Sequence, residues 1–208
     1  MVCLSCNKDM TCGQTKYHYT ESGLNSVFIS GVEVCSCLCG EKYVSLPGLS
    51  KLHRAIAEKL IHKPSILVAE EIRFLRKSMH LSGKELASVL RVSNETVSRW
   101  ENNTISIGDG KDLRLRLTYL HAFDVVPDES ILNVFRSLEN KNLGAMKINI
   151  DINEWMPDWI GSWETVPRRD ILVSHSSART KTTVFSDKHP LSPSGEWGYT
   201  NYERQHAA

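Results

Sequence analysis

The chain has 208 residues, of which 41% are apolar and 24% charged, with a formal net charge of +1. That length holds one large domain or two small ones, and the near-neutral balance announces no polyanion or membrane by charge alone. The opening MVCLSCNKDM lacks the basic start and apolar run of a signal peptide, and no stretch is apolar for long enough to cross a bilayer, so a cytoplasmic protein without a membrane partner is expected.

Residues 1–46 are rich in cysteine, glycine and β-branched residues, and all six cysteines (3, 6, 12, 35, 37 and 39) lie here. A reducing compartment does not keep disulfides, so a cysteine-dense module there is expected to hold a metal. Cys3-x-x-Cys6 and Cys37-x-Cys39 are two close pairs, each able to aim two sulfurs the same way. Together they predict a closed four-cysteine Zn2+ site, structural because it leaves no coordination position open. Cys12, Cys35 or His18 can each replace one of the four. Metal binding would stabilise a segment too small for its own core. The stretch SVFISGVEV reads as a strand pair turned at Ser30-Gly31.

Helical periodicity begins in LSKLHRAIAEKLIHK, where Leu49, Leu52, Ile56 and Leu60 share a face and Pro64 ends the run. This linker helix, 47–66, precedes a helical domain over 67–140. Ile72, Leu75 and Met79 continue the pattern. Ser82 is positioned as an N-cap with Glu85 completing a capping box. Leu86, Ala87 and Leu90 face inward, and Ser93 or Asn94 starts a further helix that buries Val97 and Trp100. Two more amphipathic helices follow in KDLRLRLTYLHAF and ESILNVFRSLEN. Residues 141–185 form a mixed extension whose AMKINIDI alternates as a strand does, and 186–208 have the composition of a disordered tail. Trp155, Trp159 and Trp163 are read as covering the protein's own elements rather than as a partner-binding strip. The fold class is thus α+β: a small N-terminal four-cysteine zinc-binding β module, an all-α helix-turn-helix domain and a mixed C-terminal extension.

The stretch KELASVLRVSNETVSRWEN has the layout of a helix-turn-helix. Ala87 is small where two helices approach, Val92 plugs the turn, and the second helix keeps Asn94, Glu95, Thr96, Ser98, Arg99 and Asn102 away from the core. The major groove admits one such helix. Arg99 can fork onto guanine, Glu95 can accept from cytosine, and Thr96 can touch thymine. Asn94, Ser98 and Asn103 are assigned to phosphate or water contacts. Lys51 to Glu85 carries eight basic residues against four acidic, and Lys63, Lys77 and Lys84 are candidates for phosphate contacts. An ordinary helical hairpin with a solvated face is the plainer alternative; capping, small residue, turn hydrophobe and exposed arginine agree on DNA binding.

LASVLRVSNETVSRWEN resembles the Xre/Cro-type helix-turn-helix family. With CLSC, YTESGLNSVFISGVEVCSCLCGE, LHRAIAEKLIHKP and EEIRFLRKSMHLSGKELA, residues 3 to about 120 resemble the MqsA/YgiT-type antitoxins. That resemblance implies a zinc domain joined to a helix-turn-helix, a homodimer on a palindromic double-stranded DNA operator, repression of its own operon, and a cognate toxin held by the antitoxin. It carries zinc ligation onto Cys3, Cys6, Cys37 and Cys39, and base reading onto Glu95 and Arg99. The family's second cysteine pair is commonly C-x-x-C, whereas one residue separates the pair here, and 141–208 lie beyond the resemblance.

Two other classes remain in view. One is a protein-binding zinc module whose helix pair reads no DNA. The other is a thiol enzyme using Cys3 and Cys6, set aside because redox C-x-x-C motifs sit at strand-to-helix junctions of α/β folds. The sequence holds no HExxH, GxSxG, Walker or dinucleotide-binding motif, and no enzymatic activity is expected.

Overall fold

The structure is a computed structural model that describes residues 1–138 and 143–157 and the backbone of 171–174. The expected tail at 186–208, together with Trp159 and Trp163, lies outside the described residues. The architecture is α+β. Among the described residues the chain divides into two compact units; one comprises Met1–Thr15, Val32–Leu49 and Ile171–Ser174, the other Lys16–Gly31 and Ser50–Pro157.

The first unit is built on β-structure. Strand β1 is Thr11–His18, β2 is Val27–Ser36, β3 is Lys42–Ser45 and β5 is Ile171–Ser174, with β4 (Ile148–Asp151) assigned below. β3 pairs antiparallel with the second half of β2, Val34 opposite Val44 and Ser36 opposite Lys42, and β5 pairs antiparallel with β3. Its small core gathers Cys3, Met10, Cys35, Cys37 and Tyr43, with Cys6 packed against it. Val32, Val44 and Leu46 of the same unit are buried as well. β1 lies beside β2, which sets Cys12 against Cys35 with their Cα atoms 3.9 Å apart, and the two form a disulfide. The expectation that the cysteines form no disulfide therefore fails at this pair: strand pairing brings together two cysteines that sequence spacing keeps 23 residues apart.

The second unit carries the helices: α1 Leu49–Ile61, α2 Ala69–Ser78, α3 Gly83–Leu90, α4 Asn94–Glu101, α5 Asp109–Ala122, α6 Glu129–Arg136 and the single turn α7 Ile152–Trp155. The same unit holds the first half of β2 and β4, which run parallel with Phe28 opposite Asn149 and Ser30 opposite Asp151. Val27, Ile29, Ile148 and Ile150 are all buried, the period-2 signature of one covered face. The predicted reversal at Ser30-Gly31 does not occur, because β2 runs on through it. Gly31 instead adopts φ +76°, and a Cβ there would stand 2.8 Å from Ile152 Cγ2. The glycine serves close packing rather than a turn.

α5 is not the simply amphipathic helix expected. It buries Asp112 and Arg116 along with Leu115, Tyr119 and Leu120. Arg116 Nε donates to Asp112 Oδ1 at 2.6 Å, and its guanidinium also donates to the carbonyls of Ile61, Lys63 and Ser65. Asp112 Oδ2 accepts from Leu67 N–H at 2.6 Å. This pair ties down the connection between α1 and α2, whose backbone groups would otherwise be buried without partners. Lys63 belongs to the same interior. It is 3% exposed and its Nζ donates to Glu71 at 2.7 Å and to Gly144 O at 2.8 Å. The expectation that Lys63 meets phosphates is thereby overturned: Glu71 holds its ammonium inside. Other cations of the basic run are also engaged, Lys59 with Glu154 and both Arg73 and Arg76 with Glu101.

Candidate DNA-reading helix and metal-binding cysteine cluster

α3 and α4 form from local signals. Ser82 Oγ accepts from Glu85 N–H at 3.3 Å, while Glu85 Oε2 accepts from Ser82 N–H at 2.7 Å, the reciprocal box that starts α3. The Glu85 carboxyl is held below the usual carboxylate range by these bonds to Ser82. α3 ends at Arg91 in the left-handed conformation, φ +51°, with Val92 N–H returning to Ala87 O at 3.0 Å. Those reversed bonds satisfy the last carbonyls and turn the chain sharply. Ser93 then caps α4, its Oγ accepting from Thr96 N–H at 3.2 Å.

α4 is anchored on one side only. Val97 and Trp100 are buried, as are Leu86, Ala87 and Leu90 of α3. Its C-terminal end is tied to α2: Glu101 accepts from Arg76 Nε at 2.5 Å and Nη2 at 2.9 Å, and Arg73 donates to Glu101 O and to Asn102 Oδ1. Asn94, Glu95, Ser98, Arg99 and Asn103 are exposed, Thr96 is half-buried, and Lys84 is exposed on α3. The Glu95 carboxyl is held low by its own backbone N–H and by Ser93, with Arg99 adding to the effect, so a carboxylate acceptor stands beside a guanidinium donor. Ser98 Oγ accepts from Asn102 Nδ2 at 3.3 Å, and Thr96 Oγ1 lies 3.1 Å from Ser93 Oγ. The anchoring arginines and Glu101 were missed as a unit from sequence, although Arg73 and Arg76 sit at a one-turn spacing that marks a shared helix face.

In the first unit, Cys3, Cys6, Cys37 and Cys39 converge with all four Sγ atoms within 4.8 Å of one another. Cys3 Sγ lies 3.6 Å from Cys39 Sγ, and Cys6 Sγ lies 3.4 Å from Cys37 Sγ. Zn–S bonds of about 2.3 Å in a tetrahedron require S···S edges of about 3.8 Å, close to these. Each pair sits on a tight turn: Asn7 N–H bonds Cys3 O at 2.9 Å with Asn7 at φ +55°, and Gly40 N–H bonds Cys37 O at 3.0 Å with Gly40 at φ +95°. Tyr43 Oη accepts from Leu4 N–H at 2.9 Å and fixes the first turn from below. Burial pushes the Cys3 thiol up, but hydrogen bonds from the Ser5 and Cys6 backbone and from Cys39 and Cys37 outweigh it and hold Cys3 at about 6. Cys6, Cys37 and Cys39 lie above the ordinary thiol value, although backbone N–H groups favour their thiolates. Four sulfurs this close share negative charge comfortably only around a cation. The cluster is able to bind a metal ion. Among the alternatives, Cys12 and Cys35 are joined to each other, and His18 Nε2 bonds Asn25 O at 2.8 Å.

Comparison with known families places a match to the Helix-turn-helix family model on residues 72–110, which run from within α2 through α3 and α4 to the start of α5. This is a domain type of DNA-binding regulators. No curated protein and no solved structure matches the chain. Among the described residues, no helix is long and apolar enough to cross a membrane.

Proposed function

We propose that this protein is a sequence-specific DNA-binding transcriptional regulator, an autorepressing antitoxin of the MqsA/YgiT type that sits as a homodimer on a palindromic operator. The observation that carries the reading is the coincidence of the family match at 72–110 with an α4 whose polar face is exposed. In this reading α4 enters the major groove with Arg99 forked onto a guanine and Glu95 accepting from a cytosine amino group. Thr96 touches a neighbouring base, and Asn94, Ser98, Asn103 and Lys84 hold phosphates or water. Cys3, Cys6, Cys37 and Cys39 hold a structural Zn2+, and no residue is assigned a catalytic role.

The test is selection of binding sites from random duplex DNA by the purified full chain, followed by gel-shift titration of Arg99→Ala. Enrichment of a two-fold-symmetric site is expected, with operator preference reduced by about 1–3 kcal/mol in the variant. Recovery of no preferred sequence, or equal discrimination by Arg99→Ala, sinks the reading.

A second reading, a toxin- or protein-binding zinc module, is favoured by one observation. Leu4 and Leu38, the residues inside the two cysteine turns, are 79% and 95% exposed. A stoichiometric complex with a protein encoded beside this gene, abolished by Leu4→Asp with Leu38→Asp, supports it; both readings hold together in an antitoxin.

A further inference from the structure

The second unit carries another exposed surface, on the outer face of β1, β2 and β4. Strand alternation puts Lys16 and His18 of β1 and Phe28 of β2 on the side opposite buried Tyr19, Val27 and Ile29. Asn149 of β4 stands opposite Phe28. Side chains there are assembled closely. The His18 imidazole stacks on the Phe28 ring at 4.6 Å and an interplanar angle of 14°. Lys16 Nζ lies 5.0 Å and Lys147 Nζ 5.2 Å from the centroid of the same ring. Lys16 Nζ also donates to Asn149 Oδ1 at 3.0 Å, and His18 Nε2 is fixed by Asn25 O. That carbonyl only accepts, so Nε2 holds its hydrogen and the ring is oriented. A carboxylate further along this face, Asp151, is occupied by Ser30 Oγ at 2.9 Å and Asn153 Nδ2 at 2.7 Å.

A flat ring held in place, backed by a second ring and flanked by two ammonium groups, suits a ligand that alternates π-faces with phosphates. Nucleobases stack on aromatic side chains irrespective of sequence, and lysines track the backbone. An acidic polypeptide would use the lysines but would leave the stacked rings without a role. We propose that this face binds single-stranded nucleic acid, with a base on His18 and flanking phosphates on Lys16 and Lys147. The proposal is independent of the duplex-reading role of α4.

The test is fluorescence anisotropy of labelled twelve-nucleotide oligo-dT and oligo-U with the full-length protein, and poly-glutamate as competitor. Lys16→Ala with Lys147→Ala is expected to weaken binding by about tenfold, and to lower the magnitude of the log K against log salt slope by about 1.4, at about 0.7 per contact on a single strand. His18→Ala is expected to weaken it by about fivefold or more, while His18→Phe, which keeps the stacking face, retains it. Arg99→Ala is expected to leave oligonucleotide binding unchanged, separating this surface from α4. Circular dichroism and thermal melting confirm that each variant folds. The oligo-dT and oligo-U arms distinguish DNA from RNA. Absence of binding, displacement by poly-glutamate at equal charge, or indifference to the lysine and His18 substitutions overturns the proposal.

Discussion

Arg76 of α2 grips Glu101 at the end of α4 with two parallel bonds, 2.5 Å and 2.9 Å long, and the two side chains are only 14% and 11% exposed. The fork fixes the C-terminal end of the helix whose other face carries Arg99. A planar guanidinium is the group suited to such a grip, since lysine offers a single point charge. Arg76→Ala strands a carboxylate that Arg73, 3.6 Å away and more exposed, compensates in part. The expected loss is about 2 kcal/mol of stability, read from urea unfolding followed by helical circular dichroism. Arg76→Lys should recover only a fraction. A variant as stable as the parent would mean that the fork contributes nothing.

Gly31→Ala should destabilise the chain by about 2–4 kcal/mol. The added Cβ meets Ile152 Cγ2 at 2.8 Å, and φ +76° is strained for any L side chain. Thermal melting checks this, and a shift of less than about a degree or two would contradict the packing described for β2 and α7.

His53 should make stability depend on pH. Burial lowers its pKa from 6.5 to about 4, and Tyr19 Oη lies 2.8 Å from its Nε2. The folded state thus favours the neutral ring, and the unfolded state binds the proton first. Its contribution is complete above pH 6.5 and is lost as pH falls from 6.5 towards 4, by about 3 kcal/mol at most. Urea midpoints at about pH 7.5 and about pH 5 measure the slope, and His53→Gln should flatten this part of it.

Lys84 is exposed at the start of α3, and the proposed reading gives it a phosphate. Lys84→Ala should weaken operator and random duplex alike and reduce the salt slope by about 1. An effect on one sequence only would reassign Lys84 to base reading.

The proposed Zn2+ assignment of the cysteine cluster predicts about one zinc per chain and four thiols shielded from a thiol reagent until a chelator is added. Cys12 and Cys35, being joined, should not add to that number in protein handled without reductant. Cys39→Ser should release the ion and loosen the first unit. Four thiols that react at once, with no metal in the sample, would refute the assignment.

What the sequence determined by itself is what is local. Ser82 with Glu85, Ser93, and the apolar spacing of Leu86, Leu90, Val97 and Trp100 lie within a few turns of one another, so caps and periodicity were enough to place α3 and α4. The two cysteine pairs were legible for the same reason, since each turn is a short-range device. Tertiary structure alone decided the long-range pairings. Lys63 reads as a surface cation until Glu71 encloses it, and Gly31 reads as a turn until β4 and α7 pack against it. Cys12 reads as a spare ligand until β1 lies beside β2. His18 and Phe28 look unrelated in the sequence, and only a shared strand face stacks their rings. Whether a charge, a glycine or a thiol faces water or a partner depends on what distant chain segments bring to it, and no spacing within one segment encodes that.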